Sequence, residues 1–193
     1  MSQSIYWKKF LAESDSNSFS QIYKYYVNDL YAYGISLGFD IDTCMDAIQD
    51  VFYKLYLRKN EFRHIINIRF YLFRSFKNRL FDIYKQQNKM EPIESGLAEF
   101  SLEVSVSKRI EDEEDNALLK QKVELLLRML TDRQREAVYL RYMQNLEYDE
   151  IASMMEMKSE SVRKLVYRAL ETIRKNTQDT SLPFLTILSL LFI

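Results

Sequence analysis

Residues Tyr148 to Leu170 read YDEIASMMEMKSESVRKLVYRAL. Two short helical patterns meet here at a four-residue break, with apolar or small residues at Ala152, Met157, Val162 and Leu165. That spacing lets two helices bury an inner corner, as a helix-turn-helix does. In the second pattern Val162, Leu165/Val166, Ala169 and Ile173 form the inner stripe. The same period turns Arg163, Lys164, Tyr167, Arg168 and Arg174 outward, with Glu160 and Ser161 near the start. A helix N-terminus favours phosphate, and side chains near it can reach base edges in a major groove. Taken alone, the second pattern is also an ordinary amphipathic helix; the two-helix spacing favours DNA.

Upstream, Thr131-Asp132-Arg133-Gln134 is a capping box. The Thr hydroxyl can accept a backbone N–H at the third helical position while Gln134 reaches back. It predicts a helix running to about Tyr142, followed by a turn at Asn145, a residue that tolerates left-handed geometry. The whole chain of 193 residues has only 3 Gly and 2 Pro, and 47% of it is apolar. Few turn residues and many strong helix formers predict an all-helical protein.

Chemistry has little to build with. A single cysteine, Cys44, excludes an internal disulfide framework and is expected to be a core thiol in a reducing cytoplasm. The lone His64 has no Cys or His cluster around it, so no metal site is expected. There is no phosphate loop and no nucleophile–base pair, which argues against an enzyme, a cofactor or a small-molecule substrate. Lys8 and Lys9 have no apolar stretch behind them, so no signal peptide is expected. No segment reaches the roughly 20 apolar residues of a membrane helix.

The net charge of −1 hides its distribution. Residues 1–88 carry 12 Lys/Arg and 9 Asp/Glu, residues 89–116 carry 3 and 9, and residues 117–193 carry 12 and 10. Two mildly basic blocks therefore flank an acidic middle, and local charge matters more than the total. With Pro92, Gly96 and the run Glu111–Asp115, residues 89–116 read as a linker. The expected layout is two small helical domains, 1–88 and 117–176, then an apolar tail at 177–193.

Two further constellations lie in the first block. In Asp46-Ala47-Ile48-Gln49-Asp50-Val51-Phe52-Tyr53-Lys54-Leu55-Tyr56, helical spacing buries Ile48, Val51, Phe52 and Leu55. Asp46, Gln49, Asp50 and Tyr53 fall on the opposite side, either as a solvated face or as an acidic surface for a basic partner helix. Periodicity alone favours the solvated face. The run Tyr71 to Lys85, YLFRSFKNRLFDIYK, buries Leu72, Phe76, Leu80 and Ile83 on the same logic, with Phe73 a further candidate for the core. It turns Arg74, Lys77, Asn78, Phe81 and Lys85 outward. Cations there would hold phosphates, an amide could meet a base edge, and an exposed ring could stack on an unpaired base. Asn78 and Asp82, four apart, can touch.

These three constellations, in this order and spacing, resemble a bacterial sigma factor of the small extracytoplasmic-function group, over roughly residues 5–88 and 117–176. By that resemblance Asp46, Gln49, Asp50 and Tyr53 would bind core RNA polymerase, which overturns the solvated reading of that face. Arg74, Lys77, Asn78, Phe81, Asp82 and Lys85 would melt and read the promoter −10 element. Ser159, Glu160, Ser161, Arg163, Lys164, Tyr167 and Arg168 would read the −35 element from a three- to four-helix, winged-helix-like domain. The resemblance further implies promoter DNA and an anti-sigma factor as partners. The reading that competes with it is a stand-alone helix-turn-helix regulator, which does not need Asp46–Phe52.

The chain departs from the family pattern at four residues and in its tail. Tyr71 stands where Trp is usual and Lys85 where Arg is usual, and both changes keep ring or charge. Glu156 stands where the turn has Gly, so it must either adopt left-handed geometry, costing on the order of 1 kcal/mol, or shift the turn. Lys158 stands where a Ser often caps the second helix, which leaves Ser159 to cap one residue later. The tail Leu182 to Ile193, LPFLTILSLLFI, is almost wholly apolar and outside the family pattern. At about 18 Å as a helix it is too short for a bilayer. It is expected to dock on the protein itself or on a partner.

Overall fold

A computed structural model describes residues 3–87, 100–101 and 117–177. The tail and most of the acidic segment lie outside the described residues. The chain divides into two units, Met1–Ala98 and Glu99–Ile193. Among the described residues there are eight α-helices and no strand, the all-helical class that composition predicts.

The first unit holds α1 (Gln3–Glu13), α2 (Ser16–Ser36), α3 (Ile41–Leu57) and α4 (Ile68–Gln87), with a 3-10 turn at Lys59–Phe62. Short acids start two of these helices. Asp15 accepts the backbone N–H groups of Asn17 and Ser18 at 3.2 and 3.1 Å, and Asp40 accepts that of Thr43 at 2.9 Å. The Trp7 indole on α1 donates to the carbonyl of Ile65 at 3.1 Å, which ties α1 to the chain entering α4. Helices α2, α3 and α4 pack on one another. On α2, a Cβ added to Gly34 would lie 2.5 Å from Cys44 Sγ on α3 and 2.9 Å from Phe76 Cζ on α4. Glycine is required there to let the helices meet. Cys44 is fully buried, as expected, and burial pushes its thiol up to about 12.

The second unit holds α5 (Ala117–Arg128), α6 (Asp132–Val138), α7 (Tyr148–Met154) and α8 (Ser159–Thr177). The predicted capping box forms: Thr131 Oγ1 accepts the Gln134 N–H at 3.4 Å, and Gln134 Oε1 accepts the Thr131 N–H at 2.9 Å. Past Val138 the helix widens into a π turn over Tyr139–Met143. Asn145 follows with φ of 51°, the left-handed turn that the sequence predicts. The buried Arg135 gathers the unit's loops. It donates to the carbonyls of Phe100 and Leu130, each at 2.7 Å, and pairs with the Asp132 carboxylate. Phe100 is 5% exposed, its ring 6.0 Å from that of Tyr139. This residue of the acidic segment is therefore seated in the second unit, where composition marked only linker.

Candidate partner and nucleic-acid interfaces

Helix α3 separates its faces as its period requires. Ile48, Val51, Phe52 and Leu55 are buried; Asp46, Gln49 and Tyr53 are exposed; Asp50 is partly so. The outward side is more structured than an acidic surface in solvent. Phe19 and Tyr23 on α2 join Gln49, Asp50, Phe52, Tyr53 and Tyr56 on α3 to line an open groove of about 610 Å³. Edge-on contacts of 4.9 Å between Tyr23 and Phe52 and 5.1 Å between Phe19 and Tyr56 hold its rings. Asp50 does not stand free at the groove: Arg79 Nε on α4 donates to its carboxylate at 2.6 Å. Arg79 escaped the sequence reading because its partner is 29 residues away on another helix, beyond any periodicity. Phe19 and Tyr23 escaped it because only packing brings α2 to the groove.

Helix α4 follows its predicted stripe with two adjustments. Leu72, Phe76 and Leu80 are fully buried, as is Phe73, whereas Ile83 is half-buried. Arg74, Asn78, Asp82 and Lys85 are exposed and Lys77 is half-buried. Phe81, which periodicity turns outward as a free ring, is instead half-buried, edge-on to Phe39 at 5.6 Å. The turn between α2 and α3 delivers Phe39 to that place, and helical spacing cannot foresee it. The Arg74 guanidinium lies over the Phe70 ring at 5.8 Å. Arg69, near the helix start, is 3.6 Å from Asp29 and lies over the Tyr26 ring at 5.2 Å. Burial pushes the Tyr26 phenol up to about 12, offset in part by that guanidinium. Tyr71, standing where the family has Trp, has its ring 4.9 Å from that of Phe62, and burial raises its phenol too.

Helices α7 and α8 meet at the expected four-residue break, 155–158. Glu156 adopts φ of 53°, so the chain takes the left-handed turn with glutamate in the usual place of glycine. The turn closes as a helix terminus should: the Met155 N–H donates to Ile151 O at 2.9 Å and the Met157 N–H to Ala152 O at 3.0 Å. Ala152, Val162, Val166, Ala169 and Ile173 are buried; Met157 and Leu165 are half-buried. Ser159 departs from expectation. It is the first helical residue and its hydroxyl is buried without a hydrogen-bond partner, so it does not cap α8. The Lys158 carbonyl takes the first N–H groups, those of Ser161 and Val162. Ser159 Oγ is thereby kept off the outward face. Glu160, Arg163, Lys164, Tyr167 and Arg168 are exposed and Ser161 is half-buried. Glu160 and Lys164 pair at 2.7 Å.

The candidate residues lie on three helices: α3 with the groove and α4 in the first unit, and α8 in the second. Among the described residues no group of His, Cys, Asp or Glu could hold a metal, and no helix is long and apolar enough to cross a membrane. Residues 120–173 match the family model for sigma-70, region 4. The chain is 23% identical over 154 residues to the ECF RNA polymerase sigma factor SigM of Bacillus subtilis (strain 168), covering 80% of this chain and 91% of that protein. Its fold is similar to that of the sigma factor RpoE from Bartonella quintana, solved with the anti-sigma factor NepR. That likeness has a TM-score of 0.52 at 19% identity and covers 84% of this chain and 98% of the other. It is also similar to CnrH, solved with the cytosolic domain of CnrY, with a TM-score of 0.54 at 17% identity over 93% and 99% of the two chains. The three constellations in register, the helix-turn-helix that closes as they require and the similarity to SigM agree: residues 120–173 match sigma-70 region 4, and the chain is similar to the extracytoplasmic-function group of sigma factors.

Proposed function

We propose that the protein is a cytoplasmic transcription initiation factor, without an active site of its own, that binds core RNA polymerase and directs it to promoters. Residues 1–88 bind the polymerase through Asp46, Gln49, Asp50 and Tyr53. Arg74, Lys77, Asn78, Phe81, Asp82 and Lys85 hold the melted −10 strand. Residues 117–176 read the −35 duplex from the outward face of α8, where Glu160, Ser161, Arg163, Lys164, Tyr167 and Arg168 meet phosphates and base edges. Residues 89–116, rich in acids, run near or through basic channels of the polymerase. Neither domain has a large positive surplus, so the free protein binds promoters weakly and the polymerase supplies much of the affinity. An anti-sigma factor is the expected regulator, since RpoE is solved with the anti-sigma factor NepR and CnrH with the cytosolic domain of CnrY.

The observation that carries this reading is the outward side of α3. A DNA-binding regulator has no need of acids and an amide beside an aromatic groove; a partner helix with basic and apolar residues fits both. The test is capture of core RNA polymerase by the full chain. Asp46→Arg is the informative variant because Asp46 is exposed. Asp50→Arg would also set two guanidiniums together at Arg79 and so disturb the fold. Asp46→Arg should weaken capture by about tenfold or more, as reversal of an interface charge does, with an unchanged melting curve. Failure of the unmutated chain to bind core polymerase would return the protein to the class of stand-alone regulators.

A further inference from the structure

Tyr148, the first residue of α7, sits beside two arginines from different elements. The Arg141 guanidinium lies over its ring at 4.8 Å and that of Arg163, on α8, at 5.4 Å. Both distances are within the reach of cation–π attraction. Arg141 is fixed from behind. It donates to the Leu146 carbonyl at 2.7 Å and is 3.3 Å from the Glu147 carboxylate, with only 24% of its side chain exposed. Two cations near one ring repel each other, and Glu147 offsets that repulsion. The ring is thus covered by the anchored Arg141, while Arg163 remains exposed.

Resting on the −35 reading of α8, we propose that Tyr148 is a positioning residue for promoter recognition, its ring holding Arg163 in the conformation that meets the −35 duplex. A long arginine side chain free in solvent loses its rotamer freedom when it binds, and a ring that orders it beforehand removes part of that loss. Tyr148 lies on the first helix of the motif, away from the recognition face that periodicity marks. It acts through Arg163, with Arg141, Leu146 and Glu147 as the rigid support.

The experiment uses holoenzyme reconstituted from the full chain and core polymerase. The probes are a promoter mapped by occupancy of this protein and the same promoter with its −35 element scrambled. The quantity read is the ratio of binding to the two. Arg163→Ala should lower the ratio by about tenfold, the scale of one good base-edge contact. Tyr148→Leu should lower it by about two- to fivefold, the scale of a cation–π contact, and Tyr148→Phe should leave it unchanged. In the Arg163→Ala background Tyr148→Leu should add nothing. If Arg163→Ala has no effect, the −35 reading of α8 is wrong. If Arg163→Ala has its effect but the Tyr148→Leu loss persists in that background, or Tyr148→Phe behaves like Tyr148→Leu, the positioning role is wrong. A fold-independent check is the NMR spectrum of the unmutated protein. Ring current from Tyr148 should shift the Arg163 side-chain protons upfield, and random-coil positions for them would overturn the proposal.

Discussion

Helices α4 and α8 carry the two candidate DNA surfaces, and they are built in opposite ways. Helix α4 is wedged among α2 and α3, and three of its side chains are tied to other elements, Arg69 to Asp29, Arg79 to Asp50 and Phe81 to Phe39, while Arg74, Asn78, Asp82 and Lys85 stay exposed. Helix α8 buries one stripe of Val162, Val166, Ala169 and Ile173 and leaves the other side to solvent, where Glu160 and Lys164 pair locally. Several side chains on α4 therefore answer to partners on other elements, while those on the outward face of α8 answer mainly to their own period. Arg163, held over Tyr148, is the place where α8 borrows the first arrangement.

That contrast can be broken at several points. The largest effect is expected at Phe76, fully buried where three helices meet. Phe76→Ala should destabilise the first unit by about 3–5 kcal/mol. Val166→Ala on α8 removes less buried volume and should cost the second unit less in denaturant titration. Equal losses would mean that the two helices are anchored alike. Next comes charge reversal on the open face. Arg163→Glu with Lys164→Glu should abolish −35-dependent transcription while core binding persists, a loss of about a hundredfold or more from two lost contacts and added repulsion. Simultaneous loss of core binding would point to misfolding.

Smaller effects sharpen the same comparison. Glu156→Gly relieves a left-handed glutamate and should stabilise the second unit by up to about 1 kcal/mol, measured by thermal melting with −35 discrimination unchanged. A destabilised variant would show that the glutamate makes contacts worth more than its backbone strain. Double-mutant cycles should give a coupling of up to about 1 kcal/mol for Asp50–Arg79, across two helices, against about 0.3–0.5 kcal/mol for the exposed Glu160–Lys164 pair. The reverse order would remove the distinction drawn between the helices. The smallest is a pH effect at the start of α3. The Thr43 N–H and hydroxyl, at 2.9 and 2.7 Å, hold the Asp40 carboxyl below the usual carboxylate range. Its pKa is depressed on folding, so the stabilisation is present above the unfolded value of about 3.9 and is lost as pH falls through the folded one. Asp40→Asn should therefore flatten the acid side of the stability curve of the first unit, and an unchanged slope below about pH 4 would show that the cap does not titrate there.

The sequence by itself determined the helical class, the buried stripes of α3, α4 and α8, the capping box at Thr131 and the left-handed turn at Asn145; at Glu156 it left two geometries open, and the structure takes the left-handed one. Each of these depends on residues within a few positions of one another, where helical period and backbone sterics act directly. Only the tertiary structure decided that Asp50 is bound by Arg79, that Phe81 leans on Phe39, that Phe100 seats in the second unit and that Tyr148 meets Arg163. All four join residues from different elements. The unmade cap at Ser159 belongs with them, since packing turned its hydroxyl inward. Local chemistry fixes which face a residue is on; what it touches there depends on how whole helices pack, and the period of one helix carries no record of its neighbours.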